Sequence, residues 1–497
     1  MSSKTLKKLL VAILFLKTSF GFGQQNSLGS FDYQGDLGNQ IIKGSSVYNK
    51  TDQTYQLLGT GNTVNEQIHY LCNKIKGDFI ISVTVNFSNK SNNSKREAGI
   101  IATEKLDTNS RFISCNVFDS IPLRAVMKFK LNPNDNINEL KISSYKSTEI
   151  YLERNGNKFI FSVASYGENY KTVDKTVTID SELYVGIYLK SDNKKNKEHA
   201  IFSNVRVTIP AKSSFRPYRD YIGSHLEIMN VTTGLRKIVY SLPDVSIQAP
   251  NWTKDNKELI YNVNGKLYTW ALADGKISEL YTSEIPDLDG DHTLSFDGKM
   301  LGFSGPVGNS EAIYIMPFKR SEIPVKITSG DTGPSYLHGW SPDKSSLVFT
   351  GKRNNIFDIY SVNIATHKET KLTHTAVLDD GPEFTPDGKY IYFNSVRTGT
   401  MEIWRMNPDG SNQEQITFDE YNNWFPHISP DGKWIVYLAF PKDIDPSDHP
   451  FYKNIYIKIM PSTGGAPKTI GYVYGGQGTM NEPNWSPDSK NITFVSN

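Results

Sequence analysis

Trp340-Ser341-Pro342-Asp343-Lys344 and Phe384-Thr385-Pro386-Asp387-Gly388-Lys389 are two copies of one phrase. It returns as Ile428-Ser429-Pro430-Asp431-Gly432-Lys433 and Trp485-Ser486-Pro487-Asp488-Ser489-Lys490. Worn copies stand earlier, at Trp252-Thr253-Lys254-Asp255-Asn256-Lys257 and Leu294-Ser295-Phe296-Asp297-Gly298-Lys299. From Ser/Thr to Ser/Thr the steps are 42, 46, 44, 44 and 57 residues. A period of that size marks propeller blades or solenoid arrays.

The grammar between copies selects the propeller. After Trp252 come a tight turn, the apolar run Glu258 to Val263, then Lys266 to Trp270, an Asp274-Gly275 turn and Ile277 to Tyr281. With the stretch ending at Trp252, that makes four strands, the content of one blade. The turns are Asp-Gly chemistry: glycine accepts positive φ and the Asp side chain bonds nearby N–H groups. The last copy is followed only by Asn491 to Val495, while His225 to Val231 and Arg236 to Tyr240 precede the first. Joining these halves into one blade closes a ring of six and removes a sheet edge.

Outward from this block, residues 28–210 alternate short β-type runs with Asn/Ser/Lys/Gly loops, as a β-sandwich does. Examples are Phe79 to Val85, Lys158 to Val163 and Leu183 to Leu189, and the loop Ser88 to Arg96 reads as surface. Residues 211–220, opening with Ala211-Lys212-Ser213-Ser214, read as a linker and 221–497 as the propeller. Residues 1–23 read as a secretory signal: Lys4, Lys7 and Lys8, an apolar run from Leu9 to Leu16, then Gly21-Phe22-Gly23. The expected mature protein is exported, periplasmic or secreted, with no membrane-spanning segment. Cys72 and Cys115 form either one disulfide or two buried thiols.

The composition is that of a folded β protein, 38% hydrophobic and 12% aromatic, with a mean hydropathy of −0.44. Its 54 basic and 52 acidic residues leave no electrostatic footprint for nucleic acid. No G-x-S-x-G elbow, P-loop, dinucleotide fingerprint or Cys/His zinc signature occurs.

The repeated phrases resemble the WD40-like (PD40) units of TolB-type six-bladed propellers. Asp291-His292-Thr293-Leu294, Tyr336-Leu337-His338-Gly339-Trp340, Asp379-Asp380-Gly381-Pro382-Glu383, Asn423-Trp424-Phe425-Pro426-His427 and Gly475-Gly476-Gln477-Gly478 are shared with that family. Gly44-Ser45-Ser46-Val47-Tyr48, Gly77-Asp78-Phe79-Ile80 and Ala98-Gly99-Ile100-Ile101 resemble concanavalin-like (LamG-like) jelly-roll modules, many of which bind carbohydrate. The expected fold is thus all-β, an N-terminal jelly-roll sandwich followed by a six-bladed propeller. The N-terminal part departs from the α/β module that the resemblance to TolB implies.

In a propeller the innermost strand of each blade lines the channel, and the phrase follows that strand. Residues just before each copy therefore converge at the channel. They are Gln248 and Asn251; Asp291 and His292; His338; Asp379, Asp380 and Glu383; Asn423 and His427; and Gln477, Asn481 and Glu482. Histidines and carboxylates from separate strands suit a divalent metal or an acid–base pair.

Two functional readings follow. The first is an exported binding or scaffold protein whose channel mouth engages an envelope protein or glycan. The second is a metal-dependent polysaccharide lyase or glycan hydrolase, since the repeats are similar to those of the oligogalacturonate-lyase propellers. There the resemblance implies His292, His338 and His427 as metal ligands and Asp380 or Glu383 as base.

Overall fold

The computed structural model describes residues 27–38, 42–59, 67–87, 96–119, 124–142, 148–191, 197–216, 219–282 and 285–497. The export signal expected over 1–23 and most of the loop Ser88 to Arg96 lie outside the described residues.

Two seven-stranded antiparallel sheets form the N-terminal sandwich. One runs Tyr33–Leu37, Ile68–Lys76, Glu182–Lys190, Glu97–Thr103, Phe112–Phe118, Arg124–Lys130, Asn138–Ile142. The other runs Lys171–Thr176, Lys158–Ala164, Glu149–Asn155, Phe79–Asn86, Glu198–Thr208, Thr54–Gly59, Ser45–Asn49. Alternate residues of facing strands, Ile100 and Ile187 from the first and Ile81, Leu152 and Phe202 from the second, share one core. Cys72 and Cys115 are free and buried. Two strands separate theirs in the sheet, so their backbones are about 14 Å apart, beyond the reach of a disulfide.

Six radial sheets follow. Blades one to five each have four strands in sequence order, with inner strands Ile247–Trp252, His292–Leu294, Ser335–Trp340, Asp379–Phe384 and Asn422–Ile428. The sixth is spliced as the sequence reading requires: Arg236–Leu242, Ser224–Asn230 and the C-terminal Asn491–Ser496. Its innermost position is a single bridge, Trp485 to Ile492, not a full strand.

The repeated phrase does the same work in all six blades. The Ser/Thr hydroxyl donates to the Asp two residues on, at 2.6–2.7 Å (253–255, 295–297, 341–343, 385–387, 429–431, 486–488). The same hydroxyl accepts the N–H that opens the next strand, at 2.9–3.1 Å. The worn copies keep both bonds, so the pattern of types matters and the proline does not. At the tip of blade five Ser429 is fully buried. Ser429→Ala leaves the Trp434 N–H without that acceptor and is expected to cost about 1–3 kcal/mol, measurable as a lower urea midpoint with unchanged slope.

Tryptophans stitch blade to blade. The Trp340 indole N–H donates to the Thr293 carbonyl at 3.2 Å and that of Trp485 to the His427 carbonyl at 3.0 Å. The sandwich sits against blade five and the closing blade. Tyr151 donates to Asn454 at 2.8 Å and packs edge-on to Tyr472, and the Gln53 amide exchanges two bonds with the Ile238 backbone at 2.7 and 2.9 Å.

A bulge interrupts four of the inner strands, between Gln248 and Asn251, Leu337 and Gly339, Asp380 and Glu383, and Trp424 and His427. Three carry a positive-φ residue followed by proline: Ala249-Pro250, Gly381-Pro382 and Phe425-Pro426. Proline suits a position where the ladder bond is already lost, and a bulge re-aims the side chains around it.

Candidate functional site

Those bulges turn side chains into the channel. His338 is itself the extra residue of the blade-three bulge, and it sits among carboxylates from three other blades. Its Nε2 lies 3.5 Å from Asp380 Oδ1 of blade four. Its Nδ1 lies 3.4 Å from Glu482 Oε1, carried by the segment that leads into the closing blade. One ligand atom from each of Asp291, His338 and Glu482 falls within 4.8 Å of the others. All three residues are buried.

The electrostatics are those of a crowded acidic chamber. Burial, reinforced by Asp289, Asp380 and Glu311, pushes the Asp291 carboxyl well above the usual range. Burial does the same for Glu482, with Asp291 and Glu383 adding to it against His338. Asp380 is held below the ordinary value because His338 outweighs its burial. For His338 burial acts downward, but Asp380, Glu482 and Asp291 overcome it and hold the imidazole well above its usual value. Further out, burial raises Glu311 to about 7 and Tyr336 to about 12, with nearby carboxylates contributing to both. Neither oxygen of Glu482 has a hydrogen-bond partner among the described residues. Even with the His338 ring 3.4 Å away, a carboxylate wholly out of water and without a closer hydrogen bond is costly to ionise, and either a proton or a cation relieves it.

The other sequence-predicted residues divide. Asp380 also accepts from Thr350 at 2.6 Å and from its neighbour Gly381 N–H at 2.7 Å. Glu383 and His427 join each other: His427 Nδ1 meets Glu383 Oε2 at 2.7 Å, and Ile428 N–H donates to Glu383 Oε1 at 3.1 Å. His427 Nε2 faces the Met480 carbonyl at 2.9 Å, so both ring nitrogens are engaged in tying three blades together. His292 is fully buried, its Nδ1 on the Gly290 carbonyl at 2.7 Å, and burial pulls its pKa to about 4. The three histidines therefore do not gather around one point; His338 is drawn to carboxylates instead. Asn251 donates to the His292 carbonyl, Asn481 accepts from Gly478 N–H, and Asn423 donates to Glu402 and Asp419. Asp379 pairs with Arg397 at 3.0 Å.

One residue was misjudged from sequence. In sequence the acidic, proline-bearing insertion Asp443 to Pro450, which accounts for the 57-residue step, reads as a solvated loop, with a lid or partner contact as the alternative. The structure brings its His449 back onto Trp424 and Phe425, with ring centroids 4.5 and 5.2 Å away. There His449 feels the Asp380 charge and the Gln477 side chain. The long step before the last phrase was the available signal. Asp289, Glu311 and Tyr336 were also missed: Asp289 precedes the inner strand of blade two, Glu311 lies on that blade's strand Ser310–Pro317, and Tyr336 lies on the inner strand of blade three, so what joins them to the chamber is their placement in space.

At the opposite end a cavity of about 340 Å³ is walled by Trp252, Phe296, Trp340, Pro386, Pro430 and Pro487. Lys254 and Glu383 also line it, so the phrase end of the channel sets aromatic rings and prolines around two opposite charges, whereas the other end is acidic. Among the described residues no helix is long and apolar enough to cross a membrane.

Comparison with known proteins agrees with this architecture. The family model for PD40, the TolB β-propeller domain, matches residues 326–445. An uncharacterized protein of Agrobacterium fabrum is 42% identical over 274 residues, 55% of this chain and 92% of the relative. A solved structure from Agrobacterium tumefaciens, provisionally assigned as a TolB, is 41% identical and is covered over 98% of its length and 56% of this chain, with a TM-score of 0.53. TolB of Acinetobacter baumannii is 16% identical over 66% of this chain and 79% of its own, with a TM-score of 0.40. Through its C-terminal half the chain belongs to the TolB-type six-bladed β-propeller family.

Proposed function

We propose that this is an exported binding protein of the cell envelope, whose propeller holds a divalent cation in its channel and presents the acidic mouth to an envelope protein or glycan. The observation that carries the reading is the approach of Asp291, His338 and Glu482 within 4.8 Å with both Glu482 oxygens unbonded. Oxygen-rich, single-imidazole sets favour hard or borderline divalent ions over thiophilic ones. Family membership supports a binding role, and the basic-then-apolar start of the chain supports export.

The test is metal content of the purified full chain after dialysis, followed by titration of manganese, calcium and zinc into metal-free protein. Wild type is expected to hold about one equivalent, and Glu482→Gln and His338→Ala to weaken binding at least about tenfold. Retention of wild-type affinity in both variants would sink the cation site. A specific envelope protein or glycan retained by wild type and lost on Asp380→Asn would support the partner half of the reading.

The lyase reading draws on one observation, Asp380 standing 3.5 Å from His338 beside the same cluster. It requires unsaturated products from uronate-containing glycans, and their absence with metal-loaded protein removes it.

A further inference from the structure

Asp36, Ser46 and His69 lie far apart in sequence class and on three strands, and the fold brings them into one chain of hydrogen bonds. Tyr33–Leu37 is the edge of one sandwich sheet and pairs with Ile68–Lys76 so that Asp36 stands opposite His69. Ser45–Asn49 is the edge of the other sheet. The three side chains meet at the open seam between these edges. Ser46 Oγ is 2.7 Å from His69 Nε2, and His69 Nδ1 is 2.8 Å from Asp36 Oδ1.

The order of groups is that of an activated serine. A carboxylate on Nδ1 fixes the proton there and leaves the Nε2 lone pair to receive the serine O–H. Asp36 is itself held, since the Gly44 N–H reaches both of its oxygens at 3.2 Å. Position 44 has to be glycine: a Cβ there would come within 2.3 Å of His69 Nδ1 and 2.6 Å of Asp36 Oδ1. His69 is 3% exposed. Its burial, outweighing the Asp36 contact, lowers its pKa and keeps it a free base at neutral pH.

Ser46 is half-buried on the wall of a broad cavity of about 690 Å³ shared with Gln34, Lys43, Gly44 and Ser45. Among the described residues the lining is polar and offers no deep apolar slot. A short acyl group on a polyhydroxylated alcohol fits that chemistry better than a long-chain ester or a bulky apolar peptide side chain. Lys43 lines the same cavity, and its ammonium brings positive potential to an oxyanion that develops there.

We propose that Ser46, His69 and Asp36 form a second, catalytic site that hydrolyses short acyl esters of polar, sugar-like alcohols. Ser46 Oγ adds to the ester carbonyl as its proton passes to His69 Nε2. The alkoxide leaves with that proton, and the acyl group stays on Ser46. Water then adds to the acyl carbon, giving its proton to Nε2 and thence to Ser46 Oγ as the carboxylic acid departs. This site is independent of the channel.

The test treats the full-length protein with a fluorophosphonate and maps the adduct by peptide mass, beside a burst assay with p-nitrophenyl acetate. Stoichiometric modification of Ser46 is expected, abolished by Ser46→Ala, slowed about a thousandfold by His69→Gln and kept by Ser278→Ala, an exposed serine of the first blade. A network that only ties the two sheets together would shift the thermal midpoint in these variants and leave no covalent adduct in wild type. Folded wild-type protein that takes no probe at Ser46, or a burst unchanged in Ser46→Ala, overturns the proposal.

Discussion

Glu227→Ala is expected to lower the stability of the propeller by about 3–5 kcal/mol, read as a large drop in the denaturant midpoint of its transition. Glu227 is fully buried at the centre of the closing blade. Its oxygens meet Arg206 of the sandwich at 2.6 Å and Arg236 of the adjacent strand at 2.7 Å. The Ser496 hydroxyl of the C-terminal strand donates to it at 2.6 Å. One carboxylate thus links domain interface, N-terminal strands and C-terminal strand. Removing it leaves two guanidiniums at low exposure without a counter-charge, which costs far more than the pair is worth in place. A cost below about 1 kcal/mol would show that these charges are solvated instead.

The same group sets a pH dependence. Burial alone would raise its pKa, but the two arginines overcome this and hold the carboxyl well below the usual carboxylate range. A depressed value stabilises the folded state fully above the unfolded pKa of about 4.3. The contribution is lost progressively as pH falls from there through the folded value. The gap in urea midpoint between wild type and Glu227→Ala should therefore be constant near neutrality and narrow only below about pH 4.3. A gap that closes at higher pH would assign the effect to another group.

Gly186→Ala is expected to destabilise the sandwich by about 3 kcal/mol and to lower soluble yield. Gly186 lies mid-sheet, opposite Cys72 on one side and Ile101 on the other. A Cβ would stand 1.9 Å from the Leu71 carbonyl oxygen and 2.5 Å from the Cys72 Cα. These are backbone atoms, so no rotamer change relieves the clash and the strands must separate. Separate unfolding transitions for the two domains would show the loss confined to the first. An effect under about 0.5 kcal/mol would mean that the sheet is looser than this packing.

Much of the fold was legible because it is repetitive. Each phrase carries its own turn: Ser429 bonds Asp431 and then Trp434, five residues away, and needs nothing distant to do so. Six such turns at a steady interval count the blades, and a missing outer half at one end matched by a surplus at the other gives the closure. The channel was legible only as a set. Asp291, His338 and Glu482 were all named, but so were His292 and His427, which serve packing between blades. Nothing in residue type separates His338 from His427. The bulge at His338 and the neighbours it meets across the ring do that.

By itself, then, the sequence determined the all-β class, the six blades, the splice that closes them and the strands that line the channel, because all of these follow from short-range turn chemistry and its period. Only the tertiary structure decided which lining residues face one another, that His449 folds back over the acidic mouth, and that Asp36, Ser46 and His69 meet at a seam between two sheets. Those contacts depend on bulges and on strand order, which bring together residues tens to hundreds of positions apart and leave no local pattern to read. The phrase Trp340-Ser341-Pro342-Asp343-Lys344 holds the blade; His338, two residues before it, acquires its chemistry from three other blades.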